Sequence, residues 1–404
     1  MVQLTPIDEQ ILAGKRGRGP QFAMQTLMAV AEMYDARRFV DIEWAHVAAA
    51  YCHSQANIDF ARKLADWKTS VAVPTTLTAC SFDPRSPTVT DDNAVALIEA
   101  YRSMGCDPVM TCAPYQAREE PTIGTHLAWC ESSAVVYANS VLGARTNRYP
   151  EFIDMCAAIV GRVPECGLHV TENRRATVVV ELQELPDAWY ADGWLFQSLG
   201  ILLGQRCGDA VPAIVGLPGT TTTEQLRGLG SAAASSGSVS MFHAVGITPE
   251  APSLEVAALS GTPHETFAVT PADIEDVAAG LDSRGSEPVS AVCVGAPHFS
   301  VDEFNALVSL LEGRSIVAGV KFIAATSAAV LAEIDQSGVL ATLQDAGVEF
   351  VTGRCTYYRP FVADLGSHVM TNSAKWAWYA PSDLDVQVTF ASLVDCVAKA
   401  CGDG

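Results

Sequence analysis

Residues 131–150 read ESSAVVYANSVLGARTNRYP. The stretch opens on a carboxylate and two hydroxyls, runs through small and apolar residues, and ends on Arg145-Thr146-Asn147-Arg148. The chain of 404 residues carries 25 Lys+Arg against 46 Asp+Glu, a formal net charge of −21, so two arginines gathered behind an apolar run stand out. Residues 129–142 have the spacing of a helix with a small-residue face, suited to burial between layers. Glu131 falls near its start, where the helix dipole favours an anion. Two readings stand for Arg145 and Arg148: basic residues closing a helix C-terminus, or a bidentate clamp for a carboxylate.

On either side of this stretch, short β-branched runs alternate with helical periodicity. FVDIEWA (39–45), SVAVPTT (70–76), PVMTCA (108–113), TVVVELQ (177–183), PAIVGLP (212–218), VSMFHAVG (239–246), VSAVCVGAP (289–297) and VEFVTG (348–353) read as strands. Helices are expected at 91–104, 222–235, 271–282, 301–313 and 326–345. This alternation implies an α/β protein of several α/β/α layers, with largely parallel sheets around a central cleft. The expected division is a mainly helical segment over 1–70, an α/β domain over 71–215 and a second α/β domain over 216–404. The last border is drawn at the Gly/Pro/Thr-rich stretch 216–223. The basic turn holding Lys15, Arg16 and Arg18 has no preceding strand and no Lys-Ser/Thr ending, so it reads as a solvated turn rather than a phosphate loop.

Composition narrows the function classes. Residues 49% apolar and 18% charged describe a globular chain. The acidic balance excludes general nucleic-acid binding, which needs a positive footprint, but leaves room for a small anion drawn to a local Arg cluster. Apolar runs are short and broken, so no membrane span is expected. The N-terminal residues lack a basic segment followed by an apolar one, so no secretory signal is read there. The 12 cysteines follow no disulfide spacing, which points to a reducing cytosol and a cytoplasmic protein.

Chemistry gathers where the strands end: Ala45-His46, Pro74-Thr75-Thr76, Thr111-Cys112-Ala113-Pro114-Tyr115-Gln116, His243 to Glu250, Gly295-Ala296-Pro297-His298 and Gly353-Arg354-Cys355. Ligands of open α/β sheets bind outside the carboxyl ends of the strands. Each ending alone is an ordinary turn or a structural histidine; six of them point to one shared cleft.

The segments AH (45–46), VPTTL (73–77), TCAPYQ (111–116), the long block AWCESSAVVYANSVLGARTNRYPEFIDMCAAIVGRVPECGLH (128–169), SSGSVSMFHAVGITPEAP (235–252), GAPHFSVDEF (295–304) and TNSAKWAWYAP (371–381) together resemble the large-subunit part of aconitase X, a branch of the aconitase superfamily. The resemblance spans nearly the whole chain. It implies an aconitase-like fold and a hydro-lyase, a dehydratase of a small hydroxy acid. One kind in the family converts cis-3-hydroxy-L-proline to Δ1-pyrroline-2-carboxylate; another dehydrates mevalonate 5-phosphate. A separate small swivelling subunit is the partner it implies. It also implies an iron–sulfur centre on three cysteines, carried onto Cys112, the second residue of a Gly-Cys-Pro-His motif, and Cys355. Here that motif reads Gly295-Ala296-Pro297-His298, and alanine cannot bind iron.

Dehydration needs a base for the proton α to the carboxylate, help for the leaving hydroxide, and a hold on the carboxylate. By likeness to the serine base of other aconitases, Ser373 is the candidate base, with Lys375 beside it to lower its pKa; a helix N-cap is the alternative for Ser373. His46 and His298 are competing acid/base candidates. Thr75, Thr76, Tyr115, Gln116, Glu131, Ser132, Arg145, Thr146, Asn147 and Arg148 are the candidates for binding substrate, and Cys112 and Cys355 for metal. Three functions stand: the hydroxyproline dehydratase, which the composition mildly favours; the phosphomevalonate dehydratase large subunit, which needs extra cations; and a repurposed member that binds a small acid without turnover.

Overall fold

Short apolar strands become stable when flanked on both faces, and here they assemble into three parallel sheets interleaved with helices. The computed structural model describes residues 2–49, 54–79, 92–283, 287–357 and 365–403. The first sheet has the order Thr75–Leu77, Trp44–Val47, Leu127–Trp129. The second runs His243–Ala244, Pro212–Val215, Val178–Leu182, Glu265–Val269, and the third Val348–Thr352, Lys321–Thr326, Ala291–Phe299, His368–Thr371, Gln387–Phe390. Every pairing within these three is parallel. An antiparallel pair, Phe39–Asp41 with Arg162–Pro164, closes the first unit.

The expected domain borders both cut hydrogen-bonded sheets. Trp44–Val47 lies before residue 70 but pairs with Thr75–Leu77 and Leu127–Trp129. The border at 215/216 would separate Pro212–Val215 from its neighbour His243–Ala244. Parallel strands need long crossovers, so a Gly/Pro/Thr-rich connection inside one sheet looks like a linker when read along the chain.

The expected helix over 129–142 is shorter. Trp129 ends a strand, paired with His46, and the helix occupies Ser132–Ser140. Every residue of that helix is buried. It packs on the helix Thr223–Ser236, where Gly230 leaves room for Val136: a Cβ there would stand 2.8 Å from Val136 Cγ1. The small-residue face thus serves a close helix–helix approach. The run 326–345 forms two helices, Ala328–Gln336 and Val339–Asp345, split at Gly338, whose φ is +81°. PVMTCA forms no strand; only Asp107 makes an isolated bridge, to Thr76.

Candidate active site

The carboxyl ends of strands from the first and third sheets meet at a cavity of about 690 Å³. The first sheet delivers Ala48 after Trp44–Val47, and Cys130, Glu131 and Ser132 after Leu127–Trp129. The third delivers Lys375, Tyr379 and Asp383 from the helix Ala374–Leu384, which follows His368–Thr371. Arg148 and Tyr149 form part of the wall. Glu131 is the N-cap residue of Ser132–Ser140, yet its side chain makes no capping bond. Its carboxylate accepts from the Lys375 ammonium at 2.9 Å. Burial opposes the Glu131 charge, but Lys375 outweighs it and holds the carboxyl below its ordinary range. Burial likewise opposes the Lys375 charge, and Glu131 first, then Cys112 and Cys355, raise its pKa above the usual lysine value. A carboxylate and an ammonium, both ionised and largely shielded from water, therefore face the cavity.

Below them runs a chain of neutral groups. Thr76 Oγ1 accepts from Trp44 Nε1 at 3.0 Å and donates to His46 Nδ1 at 2.8 Å, and His46 Nε2 donates to the Thr111 carbonyl at 3.1 Å. Thr111 Oγ1 accepts from the Ala113 amide and donates to His298 Nδ1 at 3.0 Å, and His298 Nε2 donates to the Arg354 carbonyl at 3.2 Å. Carbonyl oxygens only accept, so both rings carry their proton on Nε2. Burial holds each imidazole down to about 4. With both nitrogens of each ring committed, His46 and His298, expected as acid/base groups, tie the two sheets together through Thr111 and are not on the cavity wall.

The two expected metal cysteines lie near this chain of bonds. Cys112 Sγ accepts from the His298 amide at 3.2 Å, and burial, then Cys355 and Glu131, push the thiol up to about 12. A three-thiolate centre does not fit these residues. Ala296 presents a methyl group and belongs to the apolar cluster against which Cys355 packs. Cys293 is in that same core and hydrogen-bonds Thr356. His298 has no ring nitrogen to offer. Among the described residues no three His, Cys, Asp or Glu side chains are grouped to hold a metal ion.

The remaining expected residues divide. Ser373 caps the helix Ala374–Leu384 by accepting from the Trp376 amide, and its hydroxyl donates to the Ala296 carbonyl. It lines a second cavity of about 350 Å³ together with Ala296, whereas Lys375 lines the first. Arg145 spends its guanidinium on the His169 carbonyl and Thr171 Oγ1, both at 2.9 Å. Thr146 Oγ1 accepts from the Trp129 amide, and Asn147 braces the loop through Cys166 and Leu168. Thr75 Oγ1 donates to the Val73 carbonyl. Tyr115 stacks on Tyr137 with centroids 3.9 Å apart, and Gln116 ends the short turn Pro114–Gln116. Of the Arg-Thr-Asn-Arg segment, Arg148 is the member on the cavity wall. Sequence reasoning missed Cys130, whose thiol contacts the buried carboxyl of Asp154. The adjacency Cys130-Glu131 at a strand end was the available signal.

Parallel sheets interleaved with helices, their carboxyl ends enclosing a carboxylate–ammonium pair and an arginine, define an α/β protein with a site suited to a small polar acid. The chain belongs to the aconitase X family: the models of that family's first, second and third domains match residues 1–172, 176–279 and 289–402. It is 39% identical to the cis-3-hydroxy-L-proline dehydratase of Pseudomonas aeruginosa over 99% of this chain and 70% of that one. The phosphomevalonate dehydratase large subunit of Methanothermobacter thermautotrophicus is 34% identical, over 94% of each chain. The crystal structure of Thermococcus kodakaraensis aconitase X in its holo-form superposes with a TM-score of 0.87 at 31% identity, covering 99% of this chain and 100% of that one. No helix among the described residues is long and apolar enough to cross a membrane.

Proposed function

We propose that this chain is a dehydratase converting cis-3-hydroxy-L-proline to Δ1-pyrroline-2-carboxylate. The observation that carries the reading is the Glu131–Lys375 pair on the wall of the cavity, in a chain 39% identical to an enzyme of that name. Glu131 takes the proton from Cα, the role first given to Ser373. Lys375 stabilises the charge that develops on the substrate carboxylate as that proton leaves. Arg148 holds the carboxylate itself. In the wider family an iron centre supplies a Lewis acid for the leaving hydroxyl; the donors here do not fit such a centre, and no step above uses one.

A separate small subunit belongs to the same reading. Support comes from the match to phosphomevalonate dehydratase large subunits over 94% of their length, against 70% of the hydroxyproline enzyme. Phosphomevalonate is the poorer substrate for this cavity. Lys375 is neutralised by Glu131, and Arg18 of the basic turn lies over the Trp67 ring, with its guanidinium 4.4 Å from the centroid, not on the described cavity wall. Incubating the protein separately with cis-3-hydroxy-L-proline and mevalonate 5-phosphate, and following water loss by mass, tests the reading. Turnover of the first is expected; turnover of the phosphate ester alone, or binding of either without turnover, overturns it.

A further inference from the structure

Water loss needs an acid as well as a base, and neither cation on the wall suits that task. Arg148 does not deprotonate in proteins. Lys375 has its ammonium bonded to Glu131 and is made a weaker acid by it. Tyr149 donates its hydroxyl to His169 Nε2 at 2.7 Å. Cys130 is different. It lines the cavity beside Glu131, and its thiol contacts the Asp154 carboxyl. Asp154 is buried at the start of the helix Ile153–Val160 and accepts from the amides of Ala48 and Met155, both at 2.7 Å. These bonds fix the carboxyl directly behind the cavity wall, since Ala48 is itself part of that wall.

We infer that Cys130 is a further catalytic residue, the acid that protonates the leaving hydroxyl, and that Asp154 behind it replaces the proton. The inference rests on the dehydratase reading above. As Glu131 takes the Cα proton, the released electron pair forms the Cα–Cβ double bond and the Cβ–O bond breaks. The oxygen takes the thiol proton and leaves as water. The thiolate then takes the Asp154 proton, leaving one proton on Glu131 and one missing from Asp154, a difference that exchange with solvent cancels. Burial pushes the Asp154 carboxyl up to about 7, so a protonated fraction exists at neutral pH. Glu151 adds to this rise, while Cys130 and the two amides oppose it; among the described residues, Cys106 and Cys156 also lie near this carboxyl.

Leaving-group dependence separates an acid from a structural thiol. Fluoride departs without needing a proton as strongly as hydroxide does, so the full chain is assayed on cis-3-hydroxy-L-proline and on cis-3-fluoro-L-proline. Cys130→Ala should slow water loss more than tenfold and fluoride loss less than threefold; Cys130→Ser should fall between wild type and alanine. Equal losses on both substrates, or none on either, overturn the assignment. If wild type acts on neither substrate, the dehydratase reading fails by itself. The dyad is then judged by alkylation of Cys130 with iodoacetamide, followed peptide by peptide against pH. Asp154→Asn should move its midpoint to lower pH by about one unit, because a neighbouring carboxylate holds the proton on the thiol. An unmoved midpoint overturns the coupling.

Discussion

Lys375 Nζ and Glu131 Oε1 lie 2.9 Å apart, although 244 positions separate the two residues along the chain. The bond joins the first and third sheets at the cavity, and the side chains are only 5% and 15% exposed. Removing one partner leaves the other charge in a poorly hydrated site. Lys375→Met and Glu131→Gln should therefore each lower unfolding stability by about 3–5 kcal/mol. The double variant should be less destabilised than the sum of the two. Urea unfolding of the four proteins measures this. Additive losses would mean that the ionised pair is not coupled as its geometry requires.

Arg145 and Arg148 should separate cleanly despite standing three positions apart. Arg148 makes no ion pair among the described residues and faces the cavity. Arg148→Ala should raise KM for the hydroxy acid at least tenfold, since a charge-assisted bond is worth about 1.5–3 kcal/mol, and leave the urea midpoint close to wild type. Arg145→Ala removes bonds to the His169 carbonyl and Thr171 instead. It should cost about 1–3 kcal/mol of stability and change KM little. Kinetics and unfolding on both variants decide the matter; the reverse pattern would return the clamp to Arg145.

Much of the fold was readable because several strands are β-branched runs whose side chains suit a pleated, half-buried surface. TVVVELQ and VEFVTG hold the strands Val178–Leu182 and Val348–Thr352. Lys321–Thr326 and His368–Thr371 were missed: KFIAAT opens on lysine and is rich in alanine, and HVMT is four residues long. Their strand character comes from neighbours on both sides, which a linear reading cannot weigh. The site divides in the same way. Arg148 stood out in an Arg cluster of an acidic chain, Glu131 at a helix start and Lys375 beside Ser373. Asp154 did not, because an acid in the first turn of a helix is ordinary, and only the packing of Ala48 and Cys130 against it makes it a buried carboxyl. Ser373 carries two readings for a related reason. A serine before a helix is most simply a cap, and its bond from the Trp376 amide is that of one, while its hydroxyl also reaches across to the Ala296 carbonyl.

Stability should fall in mild acid. Burial holds His46 and His298 down to about 4, and burial and His126 hold His169 down to about 3, against an ordinary 6.5. Between pH 6.5 and 4 the unfolded chain takes up protons that the folded chain refuses, so stability drops as pH falls through that window. Asp154 works in the opposite sense: with its folded pKa raised to about 7, the folded chain gains a proton that an unfolded aspartate does not, from pH 7 down to about 4. Among the largest shifts, three histidines stand against one aspartate and leave a net loss, on the order of several kcal/mol at about 1.4 kcal/mol per pKa unit; the smaller shifts of His126 and His243 add to it, and those of Asp192 and Asp383 oppose it. Glu131 stays ionised through this window and contributes its own loss only at lower pH. The urea midpoint should decline steadily from pH 7 to 4.5, with a shallower slope in His46→Gln. A midpoint unchanged over that range contradicts the buried neutral histidines.

Iron binding gives the last prediction, and Ala296 decides it. Cys112 and Cys355 lie close enough to interact, with the His298 amide bonded to Cys112 Sγ. Ala296 stands two residues before His298 and shares an apolar cluster with Cys355. A methyl group occupies the place of a third thiolate, Cys293 is turned into the core toward Thr356, and His298 has both ring nitrogens bonded. Two thiols, with that of Cys112 pushed up by burial, hold a multi-iron cluster poorly, because each ligand must lose its proton first. Protein purified without oxygen should show little visible absorbance and at most about one iron per chain. Ala296→Cys should raise both iron and acid-labile sulfide, since it restores a thiol beside the existing two. A brown wild-type preparation with two or more irons and matching sulfide would mean that ligands from outside the described residues, or from a partner, complete the centre; the reading of Ala296 as the residue that prevents it would then be wrong.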